Sequence, residues 1–157
     1  MPNTTDTSSY DNSQNSLNDR EAKKVARQVA GTKKYLEFLS SNGGWVDFKQ
    51  YGQLIGSTEE QVADRVAAFE LVSVKVDGEV FIPLYQYDTC RQEEVYGLAS
   101  FNKVLMGANE LGNSYTSSWW LSGSHPNKRA RLLDARDNAE AYEHLMVQAR
   151  LAGEMGR

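Results

Sequence analysis

Residues 71–84 read LVSVKVDGEVFIPL, with apolar and polar side chains alternating on either side of Asp77-Gly78. Alternation with a period of two describes strands with one buried face, and Asp-Gly tolerates the two consecutive left-handed conformations that the tightest hairpin loop requires. The segment therefore predicts a β-hairpin. An isolated two-stranded hairpin is marginal in water, so its apolar face needs helices or further strands to pack against.

The residues just before it supply helices. In residues 45–69, WVDFKQYGQLIGSTEEQVADRVAAF, the side chains of Val46, Tyr51, Leu54 and Ile55 suit the inner side of a short helix, and Gly56 permits a sharp turn. Ser57 or Thr58 can cap a second helix, Glu59, Glu60 and Gln61 suit its first turn, and Val62, Val66 and Phe69 form its buried stripe. Two short helices around such a turn make a helix-turn-helix, and a hairpin directly after it completes the plan of a winged helix. The plan alone does not establish DNA binding.

On either side the patterning is simpler. Residues 1–19 are mostly Ser, Thr, Asn, Asp and Gln, too polar to offset the entropy of ordering them, and predict a disordered tail. A helix can start at Asp19 as N-cap, with Ala22, Val25, Ala26 and Val29 at helical spacing, an interruption at Gly31 and an end at Asn42-Gly43-Gly44. Beyond Asp88, Val95, Leu98, Phe101, Val104, Leu105 and Met106 predict one helix, closed by Gly107. A segment carrying Trp119 and Trp120 follows, then a turn at Gly123 and Pro126, then one helix over residues 130–157 that turns Leu132, Leu133, Tyr142, Leu145, Met146 and Ala149 inward. The expected fold is mainly α with one β-hairpin: a tail over 1–19, a winged-helix-like helix-turn-helix with hairpin over 20–88, and a small helical domain over 89–157.

With 157 residues, 40% of them hydrophobic and 24% charged, the chain has the composition of a globular protein of about one domain. No apolar run approaches the roughly 18 residues of a membrane span, and the N-terminus lacks the basic and apolar stretches of a secretion signal, so no membrane and a cytoplasmic location are expected. Cys90 stands alone, and His125 and His144 lie in no metal or nucleophile motif. There is no glycine-rich phosphate loop and no nucleophile in a known setting, so the expectation is a binding protein rather than an enzyme, with no cofactor.

Charge locates candidate interfaces. The formal net charge of −4 argues against bulk electrostatic coating of nucleic acid. Residues 21–34 nevertheless gather Lys23, Lys24, Arg27, Lys33 and Lys34 against Glu21, a stripe suited to phosphate contacts or to a solvated helix face. On the second helix of the pair only Gln61 and Arg65 could reach base edges, beside three carboxylates, with Lys75 on the hairpin. Residues 119–136 join Trp119 and Trp120 to Pro126, Asn127, Lys128, Arg129 and Arg131, the mixture of aromatic and cationic groups that binding hot spots favour. Neighbouring tryptophans on a helix diverge by about 100°, so one can enter the core while the other faces a partner.

The order of these pieces resembles the antitoxin-like proteins of the Xre/MbcA/ParS toxin-binding family. The hairpin ending Phe81-Ile82-Pro83 is similar to the family's hairpin ending in Tyr-Pro, and Tyr85-Gln86-Tyr87-Asp88 to its aromatic-Gln-Phe-Asp segment. Trp120-Leu121 followed by Pro126-Asn127 is similar to the Trp-Leu and Pro-Asn of the toxin-binding domain. The likeness covers about two-thirds of the chain. It departs after Asn127, where the family has a glycine-rich turn and a second proline and this chain runs through Lys128 and Arg129 straight to Leu132-Leu133. It implies an antitoxin-like transcriptional regulator whose N-terminal part touches double-stranded DNA and whose C-terminal part holds a protein partner, a toxin in that family, with a homodimer as a further expectation. The alternative is a protein-only adaptor or inhibitor that keeps the fold without binding DNA.

Overall fold

The computed structural model describes residues 4–123 and 126–155 and is mainly helical with small antiparallel sheets. It divides into two compact units, residues 1–38 and 39–157.

Helix α1 spans Thr4–Ser41, running from the first unit into the start of the second. It begins well upstream of Asp19 and continues through Gly31 without a break. The disordered tail expected over residues 1–19 thus meets helix from Thr4 onward, while residues 1–3 lie outside the described residues. The side chains of residues 18–34 are all exposed, Val25 and Val29 at 53% and 63%. No core holds this stretch. Its helix rests on propagation, in which each added residue gains a backbone hydrogen bond without a tertiary partner. The helix stops where expected, with Gly43 and Gly44 at φ 102° and 72°.

In the second unit, β1 (Trp45–Val46) leads into α2 (Phe48–Ile55) and α3 (Glu59–Ala67). Both helices open on a reciprocal cap. Asp47 accepts from the Gln50 amide at 2.7 Å while its own N–H donates to the Gln50 side chain at 3.1 Å, and Thr58 and Gln61 repeat the arrangement at 3.1 and 2.9 Å. Gly56 closes α2 in the left-handed conformation at φ 72°, and the Ser57 amide donates back to the Gly52 carbonyl at 2.8 Å. Tyr51 and Val62 fill the inner faces at 0% exposure. Phe69, expected in the buried stripe, instead lies beyond the end of α3 in a left-handed conformation with φ 62° and is 48% exposed. Leu54 too is exposed, at 42%. Strands β2 (Val74–Val76) and β3 (Glu79–Pro83) form the hairpin, with Asp77 and Gly78 at φ 51° and 84°. β1 adds to the far edge, giving the antiparallel order β1-β3-β2 with Trp45 opposite Pro83 and Val74 opposite Phe81.

Past the hairpin, a 3₁₀ turn over Leu84–Gln86 is followed by β4 (Tyr87–Asp88), paired antiparallel with β5 (Glu93–Glu94). This second pairing straddles the boundary expected between residues 88 and 89, so no division falls there. The helix expected over 95–106 starts only after Gly97 at φ 79°, as α4 (Leu98–Asn102), and widens into a π-helical turn over Lys103–Ala108. α5 (Asn113–Leu121) carries the tryptophans. The single helix expected over 130–157 is two, α6 (Lys128–Asp134) and α7 (Ala139–Met155), joined by a 3₁₀ turn. Asn138 makes the break: its backbone is extended and its side chain accepts from the Ala141 amide at 3.1 Å, the local bond by which Asn competes with a continuing helix. Leu132, Leu145, Met146 and Ala149 are buried as expected, while Leu133 and Tyr142 are half-buried. No described helix is long and apolar enough to cross a membrane.

Candidate functional site

On the outer face of α3, Gln61 and Arg65 are the two candidates for contact with base edges. The one guanidinium of this helix is engaged within the chain. Arg65 grips Glu94 of β5 in bidentate fashion, Nη1 to Oε2 at 2.7 Å and Nη2 to Oε1 at 2.8 Å, and its Nε donates to Glu70 at 3.1 Å. The Tyr51 hydroxyl donates to the same Glu94 oxygen at 2.7 Å, and Lys103 stands 3.6 Å from Glu70. Burial works against the charge of Arg65, but the bonds to Glu94 and Glu70 outweigh it and raise its pKa above the ordinary value. For Tyr51, burial and then the neighbouring Glu94 carboxylate drive the hydroxyl far above the usual tyrosine value, so it stays a donor. Gln61 is exposed but its amide oxygen accepts from the N-cap of its own helix. Glu59, Glu60 and Asp64 remain as the exposed groups of α3, with Lys75 exposed on β2.

The C-terminal set separates into core and surface. Trp120 is 0% exposed, and its indole N–H donates to Asn102 Oδ1 at 2.9 Å. Asn102 in turn donates to the Glu70 carbonyl at 2.9 Å and to Gln86 Oε1 at 3.3 Å. Gln86, also at 0%, acts as a surrogate strand for the backbone, accepting from the Val72 amide at 2.8 Å and donating to the Val72 and Pro83 carbonyls at 3.0 and 3.2 Å. A neutral, fully buried network therefore joins the hairpin segment to α4 and α5. Arg129 is half-buried, its Nε and Nη2 donating to the carbonyls of Tyr85 and Tyr87. Asn127 caps α6 by accepting from the Ala130 amide at 2.9 Å. Trp120 thus lies in the core and faces no partner, which corrects its assignment to a partner-facing surface, while Asn127 and Arg129 make structural bonds and stay part-exposed.

What stays open to solvent is a shallow groove. Leu111, Tyr115, Ser118, Trp119, Lys128 and Ala152 line a cavity of about 420 Å³. Trp119 lies edge-on against Trp120 at 5.3 Å and presents its ring to Lys128, whose ammonium stands 5.1 Å from the ring centroid. Tyr115 is 72% exposed. Burial, and secondarily the charge of Arg131, lower the pKa of Lys128. Pro126 is exposed and Arg131 half-buried nearby in sequence. In the first unit, Lys23, Lys24, Arg27, Lys33 and Lys34 are all exposed along α1. His144 is exposed on α7, and His125 lies outside the described residues.

Sequence reasoning missed Glu94, Tyr51, Gln86 and Asn102 as polar partners. Gln86 and Asn102 carried a signal, as lone amides at positions where the surrounding pattern demands apolar residues. Among the described residues, no group of His, Cys, Asp and Glu is arranged to hold a metal ion. In comparisons with known proteins, no family model, no curated protein and no solved structure matches the chain.

Proposed function

We propose that this chain is an antitoxin-like regulator that acts by binding, not by catalysis, and that it holds a protein partner on α5 and α6 while a winged-helix-like unit serves as its scaffold. The observation that carries this reading is the groove at Tyr115, Trp119 and Lys128, where an exposed aromatic, a half-buried indole and a partly desolvated ammonium adjoin. Aromatic and cationic side chains at such a position are what interfaces concentrate their binding energy in. The engaged state of Arg65 and the exposed carboxylates of α3 argue that this helix does not read bases. The test is the affinity of the purified full chain for the protein that co-purifies with it from its own host. Tyr115→Ala and Lys128→Glu are expected to weaken binding by on the order of 2 kcal/mol at unchanged melting temperature. Unchanged affinity in both variants removes the groove from the interface.

A second reading has its own support. Within the second unit the order β1-α2-α3-β2-β3 with sheet order β1-β3-β2 resembles the plan of a winged helix, which supports this reading, and in the first unit α1 carries exposed cations of its own. On this reading the chain is a cytoplasmic transcriptional regulator that contacts duplex DNA through backbone phosphates rather than base edges. Replacing Lys23, Lys24, Arg27, Lys33 and Lys34 by Gln would then abolish retardation of duplex DNA, and wild-type binding would fall steeply with salt. Equal retardation of wild type and variant at low salt excludes it.

A further inference from the structure

A second cavity, sharing no residue with the groove, lies around Arg129. It measures about 400 Å³ and is walled by Leu84, Tyr85, Tyr87 and Leu121, with Thr89 and Arg129 also lining it. The guanidinium is held by two backbone carbonyls, which fix its plane through Nε and Nη2. Among the described residues no carboxylate pairs with it. The acidic group whose charge it feels, Asp88, is occupied elsewhere: Oδ1 accepts from the Cys90 and Arg91 amides at 3.0 and 3.2 Å, and Oδ2 stands 3.9 Å from the Arg91 guanidinium.

A half-buried guanidinium satisfied only by carbonyl dipoles is an incomplete arrangement, because taking the ion from water costs several kcal/mol and a full counter-charge is what offsets it. Burial correspondingly lowers its pKa, against the opposing influence of Asp88. Of the five donors of an arginine, Nη1 makes no hydrogen bond within the described residues, leaving the terminal fork that matches the two oxygens of a carboxylate. Leu84 and Leu121 supply apolar lining to the same cavity, beside the amides of Asn42 and Asn127.

We propose that this cavity binds a carboxylate carried on a compact apolar body, the carboxylate on the free donors of Arg129 and the apolar part against Leu84 and Leu121. The ligand is either a free acid of amino-acid size or the C-terminus of a polypeptide; both present the same chemistry. At about 400 Å³ the cavity lies within the range of small-molecule sites.

The experiment uses the full chain labelled with ¹⁵N and follows the Arg129 Nε–H and the Thr89 and Ala130 amides. The probes are N-acetyl-leucine, N-acetyl-leucinamide and a pentapeptide ending in leucine with a free C-terminus. Saturable shifts with N-acetyl-leucine and the peptide, absent with the amide, are expected. A tighter peptide identifies a chain terminus as the ligand, and equal affinities identify a free acid. Thr89→Glu adds a negative charge at the exposed edge of the cavity without touching the Arg129 bonds, and is expected to weaken binding at least about tenfold at unchanged melting temperature. Arg129→Lys, which keeps the charge but loses the planar fork, is expected to weaken binding as much, with a lowered melting temperature because the bonds to the Tyr85 and Tyr87 carbonyls are disturbed too. Equal shifts from acid and amide, no saturable shift at all, or binding that survives Thr89→Glu overturns the proposal.

Discussion

Two polar clusters fasten the helix pair and hairpin to the C-terminal helices, and they do so with opposite chemistry. Gln86, Asn102 and Trp120 form a neutral network at 0% exposure, in which each amide group is matched to a backbone group or to a neighbour. Arg65, Glu94, Glu70 and Lys103 form a charged one whose side chains keep 21% to 56% of their surface in water. The difference follows from what each site can tolerate. Ions remain where solvent still reaches them, since full burial would demand more than their mutual attraction returns. Amides and an indole can go to zero exposure because hydrogen bonds alone satisfy them, and for the same reason nothing replaces a lost partner there.

This contrast orders the expected effects of substitution. Trp120→Ala is the largest: it empties a fully buried volume, removes ring contacts to Phe101 and Trp119 at 5.7 and 5.3 Å, and strands the Asn102 carbonyl oxygen. A loss of roughly 3 to 5 kcal/mol in urea unfolding is expected, and a loss under about 1 kcal/mol would mean that the neutral network fastens no more firmly than a surface ion pair. Gln86→Leu comes next. It keeps the volume but orphans the Val72 amide and carbonyl, each at roughly 1 to 3 kcal/mol if nothing else reaches them. Rapid exchange of the Val72 amide in the variant, with little loss of stability in urea unfolding, would show that water substitutes there, and would blur the distinction between the clusters.

The smallest effect is confined to alkaline pH and concerns the charged cluster. Tyr51 donates to Glu94, and burial together with that carboxylate raises its pKa in the folded chain. An acid with a raised folded value contributes its stability fully below the unfolded value, about 10 for tyrosine. Above that, the unfolded chain releases the proton while the folded chain retains it, so stability falls as pH rises. In Tyr51→Phe this part of the fall is absent. Wild type and variant are therefore expected to converge in urea midpoint between pH 9 and 11, by up to about 1.4 kcal/mol per unit above 10. Parallel curves across that range would show that Tyr51 titrates normally.

Local chemistry made part of this molecule legible in its sequence. Asp77-Gly78 fixed the hairpin because only the loop residues needed to be known, and Thr58 with Gln61, after Gly56, marked the turn between α2 and α3. The Trp119-Trp120 pair was legible as one inward and one outward ring, but which was which depends on Asn102, 18 positions away. Arg65 read as a base-contacting group because its partner Glu94 lies 29 positions on, and Arg129 read as a partner contact because two carbonyls more than 40 positions earlier hold it. Helix α1 illustrates the reverse error: polar composition over residues 1–19 predicted a disordered tail where the chain is helical from Thr4, and the spacing of Ala22, Val25, Ala26 and Val29 predicted a helix that is present but packs that face against nothing, all of residues 18–34 being exposed.

The turn between α2 and α3 bears on how this surface can change over generations. A Cβ on Gly52 would stand 2.5 Å from the Ser57 carbonyl oxygen, which is backbone and cannot swing aside. That position admits no heritable variation without loss of the turn, whereas the exposed Glu59, Glu60 and Asp64 one turn further on contact no such constraint. A fixed turn beside an exposed face means that this part of the chain can drift in surface charge while its fold stays tied to one glycine.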